Sequence, residues 1–148
     1  MCYTYPMINP RSQISTELYI HAARAAVWQK FTQLHGWPTW QPTVSAVQWD
    51  EGDGWQEGAH FQVRTGSQQL RCVIRMVSPE TATVWEVLNA AHNAVYSLHC
   101  TDQLGGCKVT IRATYHGVAV LLLWLQRGRR QNELQTLLAA LKAYFERR

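Results

Sequence analysis

A chain of 148 residues is long enough for one ordinary domain, which at this size buries roughly two-thirds of the surface its unfolded form exposes. Hydrophobic residues at 47% and charged residues at 16% exclude a disordered chain and leave a sparsely charged surface, compatible with a homodimer. The formal charge of +4 is small and spread along the chain apart from Arg127, Arg129 and Arg130, so no nucleic-acid partner is expected.

Residues 1–12 read as an amino-terminal extension of a single domain covering 1–148. Met1 to Pro10 lack the basic start and apolar core of a secretory signal, and the longest apolar run, Val118 to Leu125, is too short to span a bilayer, so a cytoplasmic protein is expected. Residues 13 to 22 alternate as a strand, with Ile14, Thr16, Leu18 and Ile20 on one side. Ala23 to Leu34 carries Ala26, Val27, Phe31 and Leu34 at helical spacing, and Gly36 and Pro38 end that helix. The aromatic segment Trp37-Pro38-Thr39-Trp40-Gln41-Pro42 suits a short helical turn. Strand patterns follow at Val44 to Trp49, Ala59 to Thr65, Leu70 to Val77, Thr83 to Leu88, Val95 to Thr101 and Lys108 to His116, joined by turn residues that fit hairpins. Gly117 then opens a helical segment of about thirty residues, in which Leu134, Leu137, Leu138, Leu141, Tyr144 and Phe145 share one face.

The strands divide their residues between two faces. Val109, Ile111, Ala113 and Tyr115 oppose Lys108, Arg112 and His116; Phe61 and Val63 oppose His60 and Arg64; Leu70, Cys72, Ile74 and Met76 oppose Arg71 and Arg75. An antiparallel sheet with one apolar face must lie against the long helix, because neither can leave its apolar side in water. The fold class is α+β. The four cysteines, Cys2, Cys72, Cys100 and Cys107, have no zinc-binding spacing and read as thiols, although Cys100 and Cys107 flank a turn and could face each other across a hairpin.

The order of elements, with Ile20-His21-Ala22-Ala23 leading into Val27-Trp28, then Trp37-Pro38-x-Trp40-x-Pro42, Gly58 before Phe61, Pro79 before Trp85, Gly105-Gly106 before Val109 and Gly117 before the last helix, resembles the START-related helix-grip superfamily. Within it the chain looks most like the polyketide cyclase/dehydrase and lipid transport group, over about residues 13 to 147. The resemblance implies a helix-grip fold: a curved seven-stranded sheet around the long helix, two short helices closing one end, and a cavity for an apolar ligand. Its members include aromatase/cyclases and lipid carriers, so fold alone does not settle function.

The seven tryptophans supply rigid apolar walls, each with one N–H. Candidate ligand-binding residues are Trp37, Trp40, Phe61, Val63, Cys72, Ile74, Trp85, Val87, Tyr96, Leu98, Tyr115, Leu122, Gln131 and Leu134, with Thr83 and Cys100 as further polar atoms on the same face. Tyr96, Tyr115 and Arg130 are the candidates for catalysis. Extending the apolar face of the last helix backward reaches Gln131, Arg130 and Arg127, which look into the cavity if the helix runs straight through Gly128 and to solvent if Gly128 breaks it. The scattered histidines and outward-facing Glu17 and Glu86 offer no metal-ligand spacing and no carboxylate pair, so no metal and no cofactor is expected. His92 stands in a loop that could reach the cavity mouth, and Leu121 to Leu125 with the following arginines form an apolar lip, better suited to closing the pocket or a dimer contact than to a membrane.

The reading is therefore a protein that binds a small hydrophobic ligand, aromatic, polyketide-like or lipid-like. The alternatives are an aromatase/cyclase-type enzyme, in which Tyr96, Tyr115 or Arg130 positions a poly-carbonyl chain, and a dimeric regulatory module with a filled interior.

Overall fold

The computed structural model describes residues 12–89 and 93–146. The alternating segments form one antiparallel sheet of seven strands: β1 (Gln13–Ile20), β2 (Val44–Glu51), β3 (His60–Thr65), β4 (Gln68–Ser78), β5 (Ala82–Val87), β6 (Ala94–Gln103) and β7 (Gly106–Tyr115). Their order is β1-β7-β6-β5-β4-β3-β2, so hairpins join β2 through β7 in sequence and the first strand closes against the last. Two short helices, α1 (Arg24–Thr32) and α2 (Trp37–Trp40), with a 3₁₀ turn at Leu34–Gly36 between them, link β1 to β2. The chain ends in the long helix α3 (Val118–Glu146). This is the helix-grip arrangement that the sequence predicts.

The inner face of the sheet is set by the period-two pattern. Along β7, Cys107, Val109, Ile111, Ala113 and Tyr115 are all buried and the residues between them are not. In β4 the pattern breaks. Ile74 pairs with the inward Trp85, but a bulge follows, so Met76 pairs with the outward Val84 and Val77 pairs with the inward Thr83. Met76 therefore sits on the outer face and Val77 packs against the core, the reverse of the sequence expectation, because one extra residue flips the alternation beyond it. In the β6–β7 turn, Gly106 must be glycine: a Cβ there would collide with the carbonyl oxygen of Ile20 in β1.

At the end closed by α1 and α2 the core is aromatic. Phe31, fully buried, lies 5.4 Å from Trp37, 6.2 Å from Trp40, 5.7 Å from Trp55 and 5.4 Å from Trp85, ring centre to ring centre. Trp55 comes from the β2–β3 connection and donates its indole N–H to the Thr83 hydroxyl at 2.9 Å, while that hydroxyl donates to the Met76 carbonyl at 2.8 Å.

The long helix buries Leu134, Leu138 and Leu141 and rests on β1 and β7. It is kinked, since Gln126 has non-helical angles (φ −122°, ψ 24°), two residues before the Gly128 that the sequence singles out. Beyond the kink, three side chains of α3 reach main-chain carbonyls of the edge strand β1. Arg127 donates to Gln13 O at 2.8 Å, Gln131 to Ser15 O at 2.7 Å and Lys142 to Tyr19 O at 2.7 Å. An edge strand presents carbonyls that lack a neighbouring strand, and here the helix meets them with side-chain donors. The three cysteines of the described residues, Cys72, Cys100 and Cys107, are free thiols. Cys100 is opposite Val109 and Cys107 opposite Asp102, so the two thiols are diagonal rather than directly facing neighbours.

Candidate functional site

Across from β1, α3 stands off the sheet. The gap is a cavity of about 1020 Å³ between the inner faces of β3 to β7, the connection from α2 into β2, the β3–β4 turn and the stretch of α3 from Leu122 to Leu137. Its mouth is marked by exposed polar residues, among them Ser45, Ser67, Gln68, Arg129, Asn132 and Thr136. The walls farther in are apolar and aromatic.

Trp37, Phe61, Val63, Cys72, Trp85, Val87, Tyr96, Tyr115, Leu122, Arg130 and Leu134 all contribute to this lining. Four other predicted residues stand elsewhere. Trp40, Ile74 and Leu98 are buried in packed core away from the lining, and Gln131 is turned aside to Ser15 of β1. The Thr83 hydroxyl, spent on Trp55 and Met76, is likewise outside it, as is Cys100, farther along β6 from Tyr96. Trp37 forms wall rather than donor, since its indole N–H is held by the Phe31 carbonyl at 2.6 Å. His92 lies outside the described residues.

The polar groups of the interior gather in one place. The Trp85 and Tyr96 rings stack at 5.5 Å with an interplanar angle of 11°. The Tyr96 and Tyr115 hydroxyls, on neighbouring strands, are hydrogen-bonded to each other. Burial pushes the Tyr96 phenol well above the ordinary tyrosine range, and Tyr115 and this hydrogen bond add to the rise. Burial also raises Tyr115, opposed by this hydrogen bond and the positive charge of Arg130. Both phenols are therefore neutral at neutral pH and act as hydrogen-bonding groups, not as bases. The Cys72 thiol, pushed up to about 12 by burial, is protonated too and unsuited to nucleophilic attack.

Arg130 enters from α3 with its side chain only 17% exposed, and its Nη1 lies 3.3 Å from Glu133 Oε2. Arg129, 74% exposed at the rim, places Nε 3.7 Å from the other oxygen of the same carboxylate. The kink at Gln126 is compatible with this placement because it precedes Arg130, leaving the helix regular from there to the leucines that anchor it. Gln41 is a further polar lining residue; it is buried, and its Nε2 has no hydrogen-bond partner among the described residues.

Sequence reasoning missed Glu133, Gln41, Ile111 and the rim. Glu133 was the most accessible of these, standing three residues after Arg130 on one helix. No three His, Cys, Asp or Glu side chains converge to hold a metal ion among the described residues. No helix there is long and apolar enough to cross a membrane.

The sequence profile of the polyketide cyclase / dehydrase and lipid transport family matches residues 11–146. The chain belongs to that family. No curated protein matches it by sequence. Among solved structures, a hypothetical protein of Helicobacter pylori aligns with a TM-score of 0.80 at 13% identity, over 99% of each chain. DynU16, described as a putative protein of the dynemicin biosynthetic locus, aligns at 0.75 and 14% identity over 93% of this chain and 48% of its own. The di-domain ARO/CYC StfQ of the steffimycin pathway aligns at 0.74 and 17% identity over 91% of this chain and 51% of its own. The chain thus spans about half the length of these two proteins, and at such identities the likeness is one of fold. Membership of the polyketide cyclase/dehydrase and lipid transport family supports a role in binding hydrophobic ligands or in cyclase-type chemistry.

Proposed function

We propose that this protein binds a small hydrophobic molecule, with an aromatic or polyketide-like body, in the hollow between the sheet and α3. The observation that carries the reading is the open cavity of about 1020 Å³, with Trp37, Phe61, Val63, Trp85 and Val87 in its walls and one compact polar group, Tyr96, Tyr115 and Arg130. That volume suits a ligand of a few fused rings or a folded acyl chain, which the walls would hold by area and the polar group would orient. The space between the sheet and α3 supports this reading over an interior filled for regulation through dimerisation. Native mass spectrometry beside the denatured spectrum, followed by titration of polycyclic aromatics and lipids against tryptophan emission, tests the proposal. Absence of both a co-purifying compound and any saturable binding would refute it.

The convergence of Tyr96, Tyr115 and Arg130 favours a second reading, cyclase-type catalysis. In an intramolecular aldol closure a carbon of the ligand's own chain loses a proton and attacks a ligand carbonyl carbon. That attack forms the ring's carbon–carbon bond, the former carbonyl oxygen takes up a proton to become a hydroxyl, and later loss of that hydroxyl with a neighbouring hydrogen as water leaves a carbon–carbon double bond in the ring. Neutral phenols and a guanidinium are suited to stabilising the oxygen on which negative charge grows, and holding a poly-carbonyl chain folded supplies much of the rate. Single-turnover incubation with a poly-β-carbonyl thioester surrogate separates the readings: cyclised product above the spontaneous yield supports catalysis, and binding without it supports a carrier.

A further inference from the structure

We infer that Gln41 is a specificity-determining residue, whose side-chain amide donates a hydrogen bond to a neutral carbonyl oxygen on the ligand. This rests on the hydrophobic-ligand reading and adds to it a polar anchor supplied by the α2–β2 connection, separate from Tyr96, Tyr115 and Arg130.

Five buried side-chain atoms lack a hydrogen-bond partner among the described residues: Gln13 Oε1, Trp40 Nε1, Gln41 Nε2, His60 Nδ1 and Arg112 Nε. Of these five residues only Gln41 lines the cavity. It is 4% exposed, and its main chain is fully engaged: the N–H donates to Trp37 O at 2.8 Å, and the carbonyl accepts from Val44 N at 3.2 Å. Pro42 follows, and Gln41 has the extended angles (φ −98°, ψ 107°) that a residue before proline favours. The backbone thus holds the side chain at the cavity wall while leaving its amide nitrogen unmatched. A buried donor without a partner destabilises the fold, and an apolar side chain at this wall would avoid that cost. The neighbouring indole shows the ordinary solution, since the Trp37 N–H is taken up by the Phe31 carbonyl.

The chemistry of the partner follows from the atom left over. An N–H donor calls for an acceptor, and the carboxamide can aim it by turning about its last bond, a soft torsion. A carbonyl oxygen accepts and brings no hydrogen of its own that would need a further partner. A carboxylate fits less well, because the amide is neutral and the chain around it buries Trp37, Trp40 and Val44, so burying a charge there would go uncompensated.

Fluorenone and fluorene share one tricyclic body and differ by a carbonyl against a methylene, so they test the inference in the intact chain. Titrated against tryptophan emission, the wild-type protein is expected to bind the ketone about tenfold more tightly, the usual worth of one hydrogen bond that satisfies a buried donor. Gln41→Met keeps the length of the side chain and removes the donor. It should bring the two affinities together, chiefly by weakening the ketone. The carbonyl stretch of bound fluorenone should also lie at lower frequency in the wild-type complex than in that of Gln41→Met. Equal binding of ketone and hydrocarbon by the wild-type chain would overturn the inference while leaving the hydrophobic-ligand reading intact, and that comparison holds even if the variant folds poorly. A preference and a stretching frequency that survive Gln41→Met would overturn the assignment to Gln41. Failure of both compounds to bind would refute the underlying reading and this inference with it.

Discussion

Helix α3 meets the two sides of the sheet in opposite ways. Toward β1 it is fastened: Leu138 and Leu141 are buried, and Arg127, Gln131 and Lys142 are bonded to carbonyls of the edge strand. Toward β3 and β4 it stands away, and its Arg130, Glu133, Leu134 and Leu137 contribute to the cavity lining. One helix thus serves as a fixed beam along one flank and as a wall along the other. The fastened flank holds the position of the open one, so stability and ligand recognition draw on different residues of the same element.

The largest expected break in that division is Leu138→Ala. Emptying this fully buried site should cost about 3 kcal/mol in urea unfolding, whereas Leu122→Ala, which only widens a space already open, should cost under about 1 kcal/mol. Equal costs would mean that the cavity flank carries the fold as well. Next is Val63→Trp, which places a large ring inside the hollow. Probe affinity should fall by about tenfold or more with little loss of thermal stability, because the ring occupies space rather than displacing packed neighbours.

The fastened flank predicts a smaller effect from Gln131→Leu. Removing the donor to Ser15 O should cost about 1 kcal/mol in unfolding and leave probe binding intact. A change in probe affinity of the same size as that of Val63→Trp would contradict the separation of flanks.

The pH dependence sharpens the open side further. Below the ordinary tyrosine pKa of about 10, Tyr96 is neutral in both folded and unfolded chains and adds no slope. Above it the unfolded chain loses that proton while the folded chain keeps it. The folded state then binds more protons, so stability falls as pH rises. Tyr96→Phe should flatten that alkaline fall, measured as unfolding free energy from about pH 9 to 11, though Cys72 and Cys100, both raised to about 12 by burial, add a residual slope of the same sign.

Much of this architecture was legible because it depends on periodicity. The inner residues of β3, β5 and β7 follow from simple alternation, and the buried leucines of α3 from helical spacing. Features that depend on a single backbone irregularity were hidden. The bulge after Ile74 exchanges Met76 for Val77, and nothing in the residue types there announces an extra residue. The kink falls on Gln126, an ordinary helix former, and not on Gly128, around whose missing side chain there is open space. For the site, strand parity placed Trp85, Tyr96 and Tyr115 on the cavity face, but parity cannot say how deep a residue lies. Ile74 and Leu98 share that face and are sealed in the core, and Gln131 was diverted by a strand edge more than a hundred positions away in sequence. The rim is assembled by turns from separate parts of the chain, which a linear pattern does not bring together.

The crowding of indoles around Phe31 also makes the molecule its own optical instrument. Trp37, Trp55 and Trp85 lie within 5.8 Å of one another in two pairs, Trp37 with Trp55 and Trp55 with Trp85, while Trp124 stands 73% exposed on the first half of α3. Excitation absorbed anywhere in the cluster is shared among rings that include two cavity walls, so an occupant is reported by the whole group. Trp124 supplies a constant water-exposed background, and replacing it with phenylalanine would leave an emission spectrum dominated by the interior.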